Sequence, residues 1–159
     1  MLCDKMFFLS YVINKNFNNT IKKEIYGLKK YWKKDLKNVK ALSSGFQPSY
    51  LFFDIIKKEL TNELYKILNK KYKPSYWWAN FYEPGHFTKL HRHSPEKISS
   101  IVIIKPDKSN PLYFDLKHGI LQVKEEEGLV LLFDSQIDHG VNICKEERIS
   151  LAMDFVQDI

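Results

Sequence analysis

Apolar residues in the first half of the chain recur with helical spacing. Between Asn19 and Lys34, Ile21, Ile25, Leu28 and Trp32 follow at steps of four, three and four, with lysines on the opposite side. This predicts an amphipathic helix with Asn19 as its N-cap. A second helix is predicted over Leu51 to Asn69, with Phe53, Ile56, Leu60, Leu64 and Ile67 as the buried stripe and Lys57, Lys58 and Lys66 in water. The apolar run Met6 to Ile13 is too short to span a bilayer and reads as a first strand. After Pro74 the period changes to short extended runs separated by turn residues: Tyr76–Tyr82, Phe87–Arg92, Ser99–Lys105, Leu112–Leu116, Ile120–Val123, Leu129–Phe133, His139–Cys144 and Arg148–Val156.

Eight short strands at this spacing predict a mainly β protein with N-terminal helices (α+β), built as a double-stranded β-helix, or jelly roll, of cupin-like architecture. Ile101 to Ile104 and Leu129 to Phe133 are apolar on both faces, so one sheet needs a cover outside the barrel. The two helices supply it. The expected organisation is a single domain over residues 1–159, with strand and covering helices in 1–75 and a core carrying the site in 76–159.

Composition agrees with a packed interior: 44% of residues are hydrophobic and 14% aromatic, which excludes a charge-rich disordered chain. Cys3 and Cys144 form no disulfide framework and no Cys-x-x-Cys pair, which suggests a reducing, cytoplasmic setting. The net charge of +6 is uneven: residues 1–75 hold 16 Lys and Arg against 6 Asp and Glu, and residues 76–159 hold 9 against 13. The excess is lysine on helical faces without interleaved aromatics, so it argues for solvated faces and against a nucleic-acid surface. No membrane association is expected.

Three histidines are spaced for a metal. His91 and His93 are two apart and share a strand face, and His139 opens a later strand. The plainer alternative is a surface pair, since Lys89 and Arg92 flank them. Arg148 and Ser150 share the face opposite Ile149, Leu151, Met153 and Phe155. Pointing into a barrel they require an anion, because an unpaired buried guanidinium is costly. The alternative is an exposed edge arginine paired with Glu146 or Glu147. His86 and His118 read as surface turn residues and Glu125 to Glu127 as a solvated turn. One of Trp77 and Trp78 is expected in the helix-facing core and the other at the site mouth.

The ordered pieces are Trp78-Ala79-Asn80-Phe81-Tyr82-Glu83-Pro84-Gly85, His91-Arg92-His93, Leu132-Phe133-Asp134-Ser135 with His139, and Glu147-Arg148-Ile149-Ser150. Over residues 76–156 this set resembles the 2-oxoglutarate and iron(II)-dependent oxygenases, and more narrowly the short members found in bacteria and phages. The resemblance implies iron(II) on His91, His139 and a third ligand, and 2-oxoglutarate as co-substrate. The far carboxylate of 2-oxoglutarate would lie on Arg148 and Ser150, with Tyr82 or Asn80 as further donors. It also implies hydroxylation of a small-molecule or protein-residue substrate. Most of the superfamily has a carboxylate where this chain has His93; the third ligand is then His93, water, Glu96 or Asp138. Asp134 replaces a proline and is expected to alter only a turn. Gly85, His91, His93 and Glu96, with His139, also resemble a cupin metal motif, which implies a metal-binding protein (an isomerase, a thiol dioxygenase or a sensor) that does not use 2-oxoglutarate.

Overall fold

The computed structural model describes residues 8–35, 39–95 and 97–159. The first helix, α1 (Lys15–Leu28), starts earlier than the apolar spacing indicates, because the side chain of Asn14, not Asn19, accepts hydrogen bonds from the backbone N–H groups of Asn16 and Phe17. A single 3-10 turn, Lys29–Tyr31, follows it, so Trp32 reaches the core from extended backbone. The second helix, α2 (Leu51–Leu68), ends at Asn69 in the left-handed conformation (φ 51°). Its buried stripe is Phe52, Phe53, Ile56, Leu60 and Leu64; Ile67, assigned to the stripe from spacing, is exposed.

Eleven strands are present among the described residues: β1 (Phe8–Val12), β2 (Lys33–Asp35), β3 (Val39–Ser43), β4 (Tyr72–Tyr82), β5 (Phe87–His91), β6 (Lys97–Lys105), β7 (Leu112–Leu116), β8 (Gly119–Gln122), β9 (Leu129–Asp134), β10 (Asp138–Val141) and β11 (Arg148–Gln157). They pair antiparallel in the order β1-β9-β6-β11-β4-β3-β5-β10-β7-β8, with β2 on β3. The sheet curls so that β3 joins β4 of one layer to β5 of the other. The β2–β3 hairpin has no clear signal in the sequence, since lysines alternate with its few apolar positions. Pro74 does not precede β4 but lies within it, where the register with β11 shifts between Asp154 and Phe155; a bulge tolerates the missing N–H.

Two apolar cores follow from alternation along the central strands. Val102, Ile104, Val130, Leu132, Ile149, Leu151, Met153 and Phe155 face α1 and α2. Ile101, Ile103, Leu129, Leu131, Phe133, Leu112 and Phe114 face the barrel interior. The sheet with double-sided apolar strands is thus the one the helices cover, as expected. The chain forms the jelly roll, and its interior face carries the histidines.

Candidate metal centre

His91 ends β5 and His139 lies directly opposite it on β10, in a registered cross-strand pair. His93 follows β5 in an extended segment, held by its backbone N–H to the carbonyl of Ser135 (2.9 Å) and its carbonyl to the side chain of Gln136 (2.8 Å). One ring nitrogen from each histidine lies within 4.8 Å of the other two. His139 is buried, and His91 and His93 are half-buried at the rim.

The hydrogen bonds decide which nitrogen each ring offers. Nδ1 of His91 is 2.8 Å from the carbonyl oxygen of Lys89, Nδ1 of His139 is 3.0 Å from that of Ile137, and Nδ1 of His93 is 2.7 Å from Oδ1 of Asp154. Carbonyl and carboxylate oxygens only accept, so each Nδ1 carries a proton, and in the neutral ring the lone pair lies on Nε2. Nε2 of His91 and Nε2 of His93 are 3.2 Å apart, a spacing that a shared proton or a shared metal ion satisfies. Imidazole nitrogens about 2.1 Å from one metal and at right angles sit about 3 Å from each other, so the His91–His93 spacing fits one metal. Burial, reinforced by His91 and His93, pushes the pKa of His139 down to about 3, and burial also lowers that of His91. His139 is therefore neutral at neutral pH with its lone pair available.

Deeper in the same cavity, about 470 Å³ including its mouth, stand Arg148, Ser150, Asn80 and Tyr82. Arg148 is 1% exposed, which excludes the edge-strand alternative. Its partner is not Glu146 or Glu147 but Glu125, which accepts Nε at 2.9 and 3.1 Å. Glu125 was expected in a solvated turn; instead it is buried, its carboxylate also held by the N–H groups of Asp107 and Leu112. Nη1 of Arg148 donates to Ser150 Oγ (3.3 Å), and Nη2 is buried with no partner. A lone buried guanidinium N–H calls for an acceptor, and a carboxylate in the cavity would supply one. Tyr82 holds its hydroxyl 2.8 Å from that of Thr88, and its ring lies 5.1 Å from the guanidinium carbon. The site therefore joins three imidazoles, two of them at its rim, to a buried guanidinium with one N–H unpartnered.

Among the third-ligand alternatives, Asp138 is turned to Arg92 (3.2 Å), and Glu96 lies outside the described residues. Asp154, which the sequence reading missed, is on the histidine-bearing side: Arg148, Ser150, Ala152 and Asp154 alternate along one face of β11, so the alternation used for the first two would have reached it. Ser99 also donates to Asp154 (2.7 Å). Trp77 packs in the helix-facing core, and Trp78 lies at the mouth with its ring 5.9 Å from that of His93, as expected. His86 is not a surface residue: it is buried and accepts the N–H of Glu83 at 3.0 Å, which closes the β4–β5 turn. His118 is exposed. Asp134 accepts the N–H of Gln136 (2.8 Å), a turn contact. Cys144 is a free, buried thiol raised by burial to about 12, and Cys3 lies outside the described residues.

No family model and no curated protein sequence matches the chain. Solved structures do. A prolyl-4-hydroxylase of Pseudomonas putida superposes with a TM-score of 0.79 at 14% identity, covering 98% of this chain and 95% of its own. A viral collagen prolyl hydroxylase from Paramecium bursaria Chlorella virus-1, solved with 2-oxoglutarate, gives 0.73 at 14% identity with 100% of both chains covered. HygX of Streptomyces hygroscopicus, solved with nickel, 2-oxoglutarate and hygromycin B, gives 0.75 at 11% identity, covering 96% of this chain and 84% of its own. The chain has the fold of the 2-oxoglutarate and iron(II)-dependent oxygenases. Within that oxygenase fold, no described helix is long and apolar enough to cross a membrane.

Proposed function

We propose that the protein is an iron(II)- and 2-oxoglutarate-dependent oxygenase that hydroxylates its substrate. His91, His93 and His139 would hold the metal, and Arg148 with Ser150 would take the far carboxylate of 2-oxoglutarate. The observation that carries the reading is that one ring nitrogen from each of His91, His93 and His139 converges in a cavity that also holds an unpartnered guanidinium N–H. A diacid with a metal-chelating keto acid at one end suits both. When bound, the metal supplies the redox chemistry that couples decarboxylation of 2-oxoglutarate by dioxygen to oxidation of a C–H bond. The protein's own part is positioning and exclusion of water. Glu125 fixes the guanidinium through Nε and leaves Nη2 to the ligand, Tyr82 and Phe133 line the cavity, and the Nδ1 hydrogen bonds orient each imidazole to ligate through Nε2.

Anaerobic iron(II) and 2-oxoglutarate should together produce a weak visible charge-transfer band and raise the melting temperature more than iron alone. Arg148→Ala should abolish the 2-oxoglutarate increment and keep the iron increment. A second reading, a cupin-like metal protein, draws on the all-histidine donor set. It predicts metal stabilisation with no response to 2-oxoglutarate in the wild-type protein, and that outcome would replace the first reading.

A further inference from the structure

Outside the metal cavity lies a larger depression that shares Val39, Trp78, His91 and His93 with it and runs outward between the β2–β3 hairpin and the start of β6. Its cavity volume is about 1210 Å³, above the roughly 300–1000 Å³ of a small-molecule site. One wall is aromatic: Tyr31 is 72%, Phe46 70% and Tyr76 46% exposed. This wall is built in advance. Gly45 (φ 74°) and Gln47 (φ 55°) turn the chain after β3, and the N–H groups of Ser44 and Gln47 bond to the carbonyls of Ala79 and Trp77, fixing Phe46 edge-on to Trp78 and Tyr76.

Four cations also line the depression, Lys33, Lys34, Lys97 and Arg92, the last paired with Asp138. Among the described residues Lys33, Lys34 and Lys97 enter no ion pair, and Asp154, the one described acid in the lining, is committed to His93 and Ser99. We infer that this groove docks an extended acidic peptide segment, whose target side chain enters the metal cavity past Trp78 and His93, which line both spaces. The size indicates a polymer, and the charge indicates carboxylates or phosphates. The rings favour a peptide over single-stranded nucleic acid. Lys97 caps the face of Tyr76 at 4.8 Å and Lys30 that of Tyr31 at 5.0 Å, while Phe46 meets its neighbours edge to face. These are not the free parallel faces on which successive bases stack. An acidic chain instead finds ammonium groups beside an apolar ridge.

The inference rests on the oxygenase reading only for the fate of the docked side chain. The test is fluorescence anisotropy of the metal-loaded protein with a fluorescein-labelled Asp/Glu-rich peptide, a Lys-rich peptide of equal length and an oligo-dT of equal charge. The acidic peptide should bind, weaken with added salt, and lose about tenfold in affinity in K33E/K34E and again in Phe46→Ala. The Lys-rich peptide should not bind, and oligo-dT should bind more weakly. Tighter binding of oligo-dT, equal binding of the Lys-rich peptide, no binding of the acidic peptide, or indifference to K33E/K34E would each overturn the inference. Stabilisation by iron and 2-oxoglutarate is read in parallel. Acidic-peptide binding without it retains the groove and removes the oxygenase; the reverse removes only the groove.

Discussion

Replacing Asp154 by asparagine changes one charge behind the metal centre and almost no volume. Burial alone would raise the pKa of this carboxyl, but the His93 and Ser99 hydrogen bonds and nearby Lys97 outweigh it, so the pKa is lowered and Asp154 is ionised at neutral pH. Its Oδ1 receives His93 Nδ1 at 2.7 Å and Ser99 Oγ at 2.7 Å. A hydrogen bond to a charged acceptor contributes about 1.5–3 kcal/mol and a neutral one about 0.5–1.5 kcal/mol. Over the two bonds the substitution should therefore lower metal-free stability by about 2–3 kcal/mol. The effect on the metal is larger, because the carboxylate both raises the basicity of Nε2 and fixes the tautomer; partners of this kind are worth about 10–100-fold in metal affinity. Titration of metal-free protein with cobalt(II), followed by its visible ligand-field absorption, reads this directly. Asp154→Asn should weaken binding by about 10–100-fold with the band retained, and His93→Ala should weaken it further with an altered band. Unchanged affinity in Asp154→Asn would refute the argument for Asp154, and an unchanged spectrum in His93→Ala would remove His93 from the donor set.

Glu125→Gln removes the counter-charge of a guanidinium that is 1% exposed and should cost about 3–5 kcal/mol in urea unfolding; 2-oxoglutarate should then stabilise the variant more than the wild type, and wild-type stability in the variant would contradict the pairing. His139 titrates at about 3 in the folded protein against 6.5 in the unfolded chain. Above pH 6.5 neither state binds the proton; below it only the unfolded state does, so metal-free stability falls by about 1.4 kcal/mol per pH unit on this account until near pH 3. Urea unfolding near pH 7 and pH 5 should show about 2 kcal/mol more loss in the wild type than in His139→Gln, and equal slopes would refute it. A Cβ at Gly140 would lie 2.8 Å from the hydroxyl of Tyr113 and 3.0 Å from the carbonyl of Thr88. Gly140→Ala should push β10 from β5, costing about 1–3 kcal/mol, and should weaken cobalt binding because His139 and His91 face each other across those strands; intact cobalt affinity would show that the spacing is not critical.

Much of this was legible from alternation alone. Because β-strand side chains repeat every two residues, Arg148 and Ser150 had to share a face, Ile149 to Phe155 the other, and Trp77 and Trp78 had to part, wherever the sheets lay. The helical stripes were readable from their own period, and so was the start of α2 at Leu51; the start of α1 was not, since Asn14 and Asn19 offer the same cap and only packing selects one. The sequence alone therefore determined the jelly roll, its covering helices and the alternation of faces along the strands. Tertiary structure decided the pairings across the chain. Glu125 sits in an acidic run that looks solvated, and only folding brings it against Arg148, 23 residues away; Asp154 meets His93 across 61. Local periodicity fixes the direction of a side chain, whereas the partner of a buried charge depends on which strands become neighbours, and that is settled by the closure of the sheet.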